Sequence, residues 1–384
     1  DPLPWGGDVQ QRVTANAGNA IFLAAYLLMA FFFTLERVFS SFAHLLRQEE
    51  DGESATDGQD VPTALAGGAY LFVLMVQIGT IFLTQSRGPV LGLLAGIYLF
   101  VLLLFGALRP KRYRLWTASW AGLGVLGVIT LIIMNTTTVF SAVENIDSLA
   151  RLSGLLDLES NTAQVRVNIW EGAADMVAPH APIVQPDGSP DGLNIVRPLV
   201  GYGPETMWVA YNPFYPVTLA HYEARNASPD RSHNETWDAL VITGWLGFAA
   251  YMWLFIAIFY WALRWLGLLN NRRDTILLGG LLALFSALFV TIFSFFDGSW
   301  RFFGVALPAG LVLGLVAYIT TAAFLHDDAL ESKADFPRQV LILTLLVTMV
   351  AHFVEIHFGI AIAATRTYFW AQTGLLLVLS LIHI

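Results

Sequence analysis

Cysteine is absent from this sequence of 384 residues, and charged residues make up only 13% of it. Without cysteine the chain forms neither a disulfide framework nor a thiolate metal site. Positive charge is also scarce, because 20 lysines and arginines face 29 aspartates and glutamates, for a formal net charge of -9. A protein that neutralises nucleic-acid phosphates needs a basic surface stripe, so this balance excludes a nucleic-acid partner.

Hydrophobic residues, by contrast, make up 56% of the chain. They cluster in runs of about 20 residues, the length that spans a bilayer. The composition predicts an all-α, polytopic transmembrane helical bundle with about nine spans. We divide it into residues 1–134 with spans one to four, 135–236 as one large loop outside the membrane, and 237–384 with spans five to nine. The spans are expected at about residues 20–38, 63–84, 89–108, 115–134, 237–263, 276–296, 302–325, 340–358 and from 368 onward.

Basic residues mark one side of the predicted bundle. The short turns after spans one, three, five and seven hold most of the lysines and arginines, whereas the opposite short ends hold only Arg12, Arg87, Arg301 and Arg366. Cytoplasmic loops carry an excess of such residues, so the basic turns are predicted to be cytoplasmic. The large loop, Arg87 and His233 then lie on the outer side. The basic turns contain Arg37, Arg47, Arg109, Lys111, Arg112, Arg114, Arg264, Arg272, Arg273, Lys333 and Arg338.

Two polar stretches lead to different predictions. Residues 40–62 are rich in acids, glycine, serine and glutamine, which is typical of a solvated loop. Within the large loop, residues 163–177 space apolar side chains along one face of an amphipathic helix. We expect this helix to lie on the outer leaflet of the membrane.

Both ends of the sequence are unusual. The first residues lack an initiator methionine and the basic-plus-apolar pattern of a signal peptide, so we expect the chain to begin within a longer protein. The last six residues, 379–384, resemble a translated DNA-library adaptor, and the alternative is an ordinary helix end. His383 therefore enters no functional argument.

The stretch at residues 231–247 turns from a polar loop into an apolar helix. If the helix begins near His233, about 100° per residue places Gly244 and Gly247 on the face of the histidine. Asn234 is a competent N-cap, and nothing in this helix start needs a histidine for folding. One interpretation is a functional histidine above a helix-packing glycine pair, and the other is an interfacial histidine without a chemical role.

Arginines occur beside predicted helix starts on the outer side. Arg87 and Arg301 lie at the starts of spans three and seven, where the positive ends of the helix dipoles also point outward. Together with Arg166 in the large loop, they predict a site for an anion. The alternatives are that Arg87 and Arg166 reach lipid phosphates, and that Arg301 only pairs with Asp297. Such a site suits a lipid-linked pyrophosphate, while a nearby histidine can take a proton from a sugar hydroxyl.

The residues around the histidine resemble the H-[NSQ]-x9-G-x-x-G signature of the O-antigen ligase and polymerase superfamily. The defined positions of this signature are occupied by His233, Asn234, Gly244 and Gly247. The other similar segments are Thr84–Gly88 for an S-R-G segment, Arg166 with Trp170 for a second arginine motif, and Gly18–Asn19 for a G-N segment. The resemblance covers about residues 12–370.

The resemblance implies an inverting, metal-independent glycosyltransferase of the GT-C type that works without a cofactor. Arg87 and Arg166 would bind the undecaprenyl pyrophosphate of a glycan donor, and His233 would activate the acceptor hydroxyl. Asn234 and Arg301 complete the expected substrate-binding residues. The implied location is the cytoplasmic membrane of a bacterium, with the active site facing the exterior. Full-length members usually have more spans than this chain, so we expect N-terminal spans to be missing.

Several readings remain open within and beyond this class. Ligase, polymerase and protein O-oligosaccharyltransferase share the donor and differ in whether the acceptor is a glycan, a lipid or a protein. A membrane transporter of lipid-linked or anionic solutes is the alternative from another class, and a non-catalytic scaffold is a third. Transport predicts charged residues and broken helices at the bilayer midplane, whereas the middles of these spans are apolar.

One more polar cluster, His352, Glu355 and His357, lies near the outer end of span eight. It predicts either a metal site with two histidines and one carboxylate, or a polar packing network that includes Arg366. The angle between His352 and His357 on a helix favours the network.

Overall fold

The computed structural model of the chain describes residues 12–51, 60–108, 110–136, 158, 160–185, 187–326 and 336–381. Helices dominate these residues, which contain no β-strand and a single isolated antiparallel bridge between Val184 and Pro190. The helices are α1 (Ala20–Asp51), α2 (Asp60–Leu83), α3 (Arg87–Leu103), α4 (Pro110–Thr136), α5 (Asn161–Val177), α6 (Arg197–Val200), α7 (Met207–Ala210), α8 (Glu235–Trp265), α9 (Arg272–Asp297), α10 (Phe303–Leu325), α11 (Phe336–Ile356) and α12 (Ala363–Leu381).

Seven of the described helices are long and apolar enough to cross a membrane, namely α1, α2, α3, α8, α9, α10 and α11. This confirms the predicted all-α polytopic transmembrane bundle. The other two long helices, α4 and α12, coincide with predicted spans four and nine, and their crossing stays a prediction. The end of α4 and the start of α8 bracket the predicted large loop.

Helix α1 is longer than predicted. The prediction ended span one near Val38 and placed a solvated loop over residues 40–62, but α1 continues to Asp51. No glycine or proline occurs from Ala20 to Asp51, and helix-forming leucine, alanine, arginine and glutamine extend past the apolar run. Expectations that fall on residues 1–11, 52–59, 137–157 and 382–384, and on Arg109 and Lys333, lie outside the described residues.

The amphipathic helix of the large loop is α5, and its apolar face is covered by protein. Ile169, Trp170, Ala173 and Met176 are all buried. This face packs against α8 and the loop that precedes α8. The expectation that the helix lies on the outer leaflet is therefore wrong, because an amphipathic pattern predicts that one face is covered without indicating what covers it.

Helix ends gather at two opposite ends of the bundle. At one end, the side chain of Asn234, just before α8, donates to the carbonyl oxygen of Gly304 in the first turn of α10. At the other end, Arg114 in α4 donates to the carbonyl oxygen of Ala323 in the last turn of α10. Since α8 and α10 both run from the first end to the second, His233 lies opposite the basic turn that follows α8. We call the end that carries His233 the site end of the bundle.

Helix α8 is broken at Gly244, where a segment of the large loop crosses it. The φ of 62° and ψ of -170° at Gly244 lie in a region that only glycine adopts readily. At the break the carbonyl oxygens of Val241 and Ile242 accept hydrogen bonds of 2.8 and 3.0 Å from the backbone of Tyr202 and Gly203. The backbone groups that the break frees are thereby satisfied.

Because of this break, Gly244 and Gly247 do not lie on the helix face of His233 as predicted. His233 precedes the helix and Gly244 interrupts it, so helical spacing does not relate the two residues. A Cβ at Gly244 would lie 2.3 Å from the carbonyl carbon of Leu199, whereas one at Gly247 would first meet Thr243 of its own helix. The helix-packing role predicted for Gly244 and Gly247 stays a prediction, and the close contact at Gly244 is with α6. Gly244 allows a backbone crossing with α6.

We expect Gly244→Ala to destabilise the protein. The added methyl group would meet the backbone of Leu199, and the backbone conformation alone costs a non-glycine residue about 1–3 kcal/mol. Thermal unfolding in detergent measures the loss. Gly279→Ala in α9 is the matched control, since a Cβ there meets nothing within 4 Å. Equal stability of the two variants would contradict the crossing.

Candidate active site

His233 has a strained backbone between two anchored neighbours. Its φ of 56° lies in the left-handed region, which is uncommon for a residue with a side chain. The carbonyl oxygen of Ser232 accepts a hydrogen bond of 3.0 Å from the indole of Trp170, and Asn234 is held by its own side chain. Strain of this kind clusters at functional sites. The Nδ1 atom of His233 is buried and has no hydrogen-bond partner among the described residues.

Asn234 joins three helix ends. Its Oδ1 atom accepts a hydrogen bond of 3.1 Å from the backbone of Trp237, which caps α8. Its Nδ2 atom donates to the carbonyl oxygens of Gly304 (2.8 Å) and His357 (2.9 Å), at the start of α10 and just after α11. Both N–H groups are used and the side chain is fully buried. The geometry does not favour the predicted substrate contact of Asn234, and we assign it the positioning of His233.

Arg87 and Arg166 lie on different elements at the site end. Arg87 is the first residue of α3, and its guanidinium donates to the hydroxyl of Ser160 (2.9 Å), the N-cap of α5. Arg166, further along α5, donates to the carbonyl oxygen of Phe358 (2.8 Å), two residues after α11. A cation at a helix start opposes the helix dipole, so helix stability does not explain Arg87.

Arg12, which was predicted only to lie at a short end opposite the basic turns, brings a third guanidinium. It donates from Nε to the carbonyl oxygen of Thr84 (2.8 Å) and from Nη2 to the hydroxyl of Ser86 (3.0 Å). It therefore holds the turn that leads into Arg87. Since Arg12 and Thr84 are 72 residues apart in sequence, no local pattern could have placed them together.

These groups influence one another electrostatically. Burial, followed by the charges of Arg87 and Arg12, lowers the pKa of Arg166 to about 10, and the charge of Glu355 opposes this. Burial, followed by the charge of Arg166, lowers the pKa of His233 to about 4, so its imidazole is neutral near pH 7. Arg166 forms no ion pair with a described residue. We call Arg12, Arg87, Arg166 and His233 the outer-site cluster. Its concentrated positive charge favours an anion.

Two other arginines at the site end are already paired with carboxylates. Arg301 lies 2.7 Å from Asp297 and 3.1 Å from Glu171, so its role in substrate binding stays a prediction that the geometry does not favour. Arg366 lies 3.1 Å from Glu235. It therefore pairs with α8 and does not join the polar network predicted on α11.

The polar residues His352, Glu355 and His357, at the end of α11 and just after it, divide into two groups. His352 and Glu355 are buried, with 3.4 Å between Nδ1 and Oε2, and neither carboxylate oxygen of Glu355 has a hydrogen-bond partner in the described part of the chain. His357 instead donates from Nδ1 to the carbonyl oxygen of Phe353, and its Nε2 lies 3.1 Å from the hydroxyl of Thr236. The three side chains do not converge on one point. Among the described residues no group of three possible ligands could hold a metal ion.

Comparison with known proteins gave one match. A family model described as O-antigen ligase matches residues 70–184, which is less than a third of the chain. The matched part contains Arg87 and Arg166 and ends before His233. The search of curated proteins and the search of solved structures found no match.

We expect the pKa of His233 to rise in Arg166→Gln. The variant removes the charge that, after burial, contributes most to the lowering, while Asp230, which acts in the opposite direction, remains. An NMR titration of labelled histidines in detergent micelles measures the change. Arg264→Gln at the opposite end of the bundle is the control. An unchanged pKa of His233 in Arg166→Gln would contradict the proximity of these two side chains.

Proposed function

The match over residues 70–184 supports assigning the chain to the O-antigen ligase and polymerase family, and from that premise we propose that it transfers a glycan from an undecaprenyl-pyrophosphate donor to an acceptor hydroxyl. The reaction would take place at the outer face of a bacterial cytoplasmic membrane. The observation that carries the proposal is the left-handed backbone of His233 together with its Nδ1 atom, which has no partner among the described residues, within electrostatic range of Arg166.

Donor binding is assigned to the arginines of the outer-site cluster. Holding several guanidinium groups together costs electrostatic free energy, and a pyrophosphate would reverse the sign of that term. Arg166 is held by a carbonyl oxygen, and Arg12 by a carbonyl oxygen and a hydroxyl, so their charges remain available to an anion. The starts of α3 and α5, which meet through Arg87 and Ser160, add the positive ends of two helix dipoles.

Acceptor activation is assigned to His233. The acceptor oxygen attacks the anomeric carbon of the donor sugar, and its proton passes to the imidazole of His233. The bond from that carbon to the pyrophosphate oxygen breaks, and its electron pair leaves with the pyrophosphate, whose charge the arginines stabilise. Attack opposite the leaving group inverts the anomeric centre. No step in this scheme requires a metal ion or a cofactor.

The charge of the donor also adjusts the base. After burial, the charge of Arg166 keeps the pKa of His233 low, which makes its imidazole a weak base. An anion on Arg166 offsets that charge and raises the pKa towards the working pH, where general-base catalysis is most efficient. The donor is therefore expected to bind before the acceptor proton is removed.

An O-antigen ligase reaction is the version that we favour, and polymerase and protein O-oligosaccharyltransferase remain alternatives. All three use the same donor chemistry, so the outer-site cluster suits each of them. The product distinguishes them: transfer of a complete glycan in one step indicates a ligase, a ladder of repeat lengths indicates a polymerase, and a glycosylated polypeptide indicates the third.

We expect His233→Ala to abolish transfer while the protein still inserts in the membrane, because the Nδ1 atom of His233 holds no hydrogen bond to a described residue that the variant would lose. Lipid-linked donor should accumulate without being consumed, as measured by extraction and chromatography. His221→Ala, an exposed histidine of the same loop, should leave turnover intact. Full turnover by His233→Ala would exclude its role as the base.

We expect Arg87→Lys to weaken donor binding even though it keeps the charge. A lysine presents a point charge and cannot reproduce the bidentate fork of a guanidinium on a phosphate. Equilibrium binding of a labelled undecaprenyl pyrophosphate in detergent measures the loss. Arg301→Lys is the matched control, since Arg301 is held by Asp297 and Glu171. Unchanged affinity in Arg87→Lys would contradict a bidentate contact between Arg87 and the pyrophosphate.

A further inference from the structure

Residues 193–200 of the large loop expose an unusual number of apolar side chains. Ile195 is 93% exposed, Leu193 is 55% exposed, and Leu199 and Val200 are each 50% exposed. Scattered exposed apolar residues are normal, but a contiguous group marks a surface that another phase or molecule covers. We call residues 193–200 the inverted segment.

The polar residues of the inverted segment turn inward. Arg197 lies 2.7 Å from Asp191 and donates to the carbonyl oxygen of Gly201. Asn194 donates to the carbonyl oxygen of His180 (2.8 Å). A loop in water places its polar side chains outside and its apolar side chains inside. The opposite arrangement is what a surface in contact with lipid requires.

Six of the seven backbone N–H groups of the inverted segment donate within the loop, and that of Ile195 is the exception. The N–H groups that donate to oxygen atoms within the loop are those of Leu193, Asn194, Val196, Arg197, Leu199 and Val200. Position 198 is proline and has no N–H group. Internal hydrogen bonding of this extent is a condition for irregular backbone at membrane depth, where no water is available as a partner.

The crossing at Gly244 fixes the position of the inverted segment along α8. Leu199 touches Gly244, which lies nine residues beyond the first residue of α8, or about 13 Å along the axis at 1.5 Å per residue. The headgroup region on each side of a bilayer is only about 5–8 Å thick. The next residues of α8, Trp245 and Leu246, are themselves exposed on this membrane-crossing helix, so the segment continues the surface that α8 presents to lipid.

We propose that residues 193–200 insert among the acyl chains of the outer leaflet and anchor the large loop in the bilayer beside α8. The sequence pattern had placed this contact on α5, whose apolar face is internal. An anchor at the inverted segment holds the loop that carries Arg166 at a constant depth relative to α8. The proposal rests on exposure, hydrogen bonding and the backbone crossing, and does not depend on the proposed function.

Spin labelling in lipid nanodiscs tests this proposal, and the absence of native cysteine makes single-cysteine variants of the full chain straightforward. Ile195→Cys is the test position and Leu199→Cys gives an independent second reading. Leu246→Cys, 62% exposed on α8, is the lipid reference, and Gln185→Cys, exposed on a polar turn, is the water reference. Collision rates with oxygen and with a water-soluble nickel chelate are measured for each.

We expect labels at both test positions to match the Leu246 label, with frequent oxygen collisions and few chelate collisions. Chelate collisions as frequent as those at Gln185 would place the segment in water and overturn the proposal. Low collision rates with both reagents would mean that protein, such as a second copy of the chain, covers the segment, and this would overturn it as well.

Discussion

The hydrogen bonds of the Asn234 amide hold together the helix ends on which the site depends. One side chain caps α8 and donates to backbone carbonyl oxygens beside α10 and α11, at a position without solvent access. Each of these groups, if left unsatisfied in such a position, would cost about 1–3 kcal/mol. The chain on either side of His233 is therefore fixed, and His233 itself takes the left-handed conformation that the connection requires. A residue that stabilised the helix start would not need an imidazole in this conformation.

The arginines at the site end fall into two groups with different electrostatic consequences. Arg301 and Arg366 lie against carboxylates, so their charges are compensated within the fold. Arg12 and Arg166 are held by neutral oxygen atoms, which orient a guanidinium without cancelling its charge. The lowered pKa of Arg166 follows from this arrangement, since burial and neighbouring cations both disfavour its charged form. Positive charge gathered in this way costs the fold electrostatic free energy and suits an anionic ligand.

The described part of the large loop packs into the bundle. Helix α5 buries its apolar face against α8, and the backbone at Gly201 crosses the break in α8, where a Cβ would lie 2.4 Å from Ile242. Arg166 therefore keeps its place relative to His233 through packing on both sides. The broken helix is tolerated because loop N–H groups replace the lost helical hydrogen bonds.

The sequence by itself determined the helical membrane architecture, because the length and apolarity of a run of residues are local properties that match the thickness of a bilayer. It also indicated Arg87, Arg166 and His233 as candidate residues, through helix-start chemistry and a signature with defined spacing. Only the tertiary structure decided that Arg12 holds the turn before Arg87 and that the Asn234 side chain bonds to three helix ends. It also decided that protein covers the apolar face of α5 and that α8 breaks at Gly244. Each of these four features depends on contacts between residues that lie tens of positions apart in the sequence. Such contacts stabilise the protein only after both segments have packed together, so no local pattern reveals them.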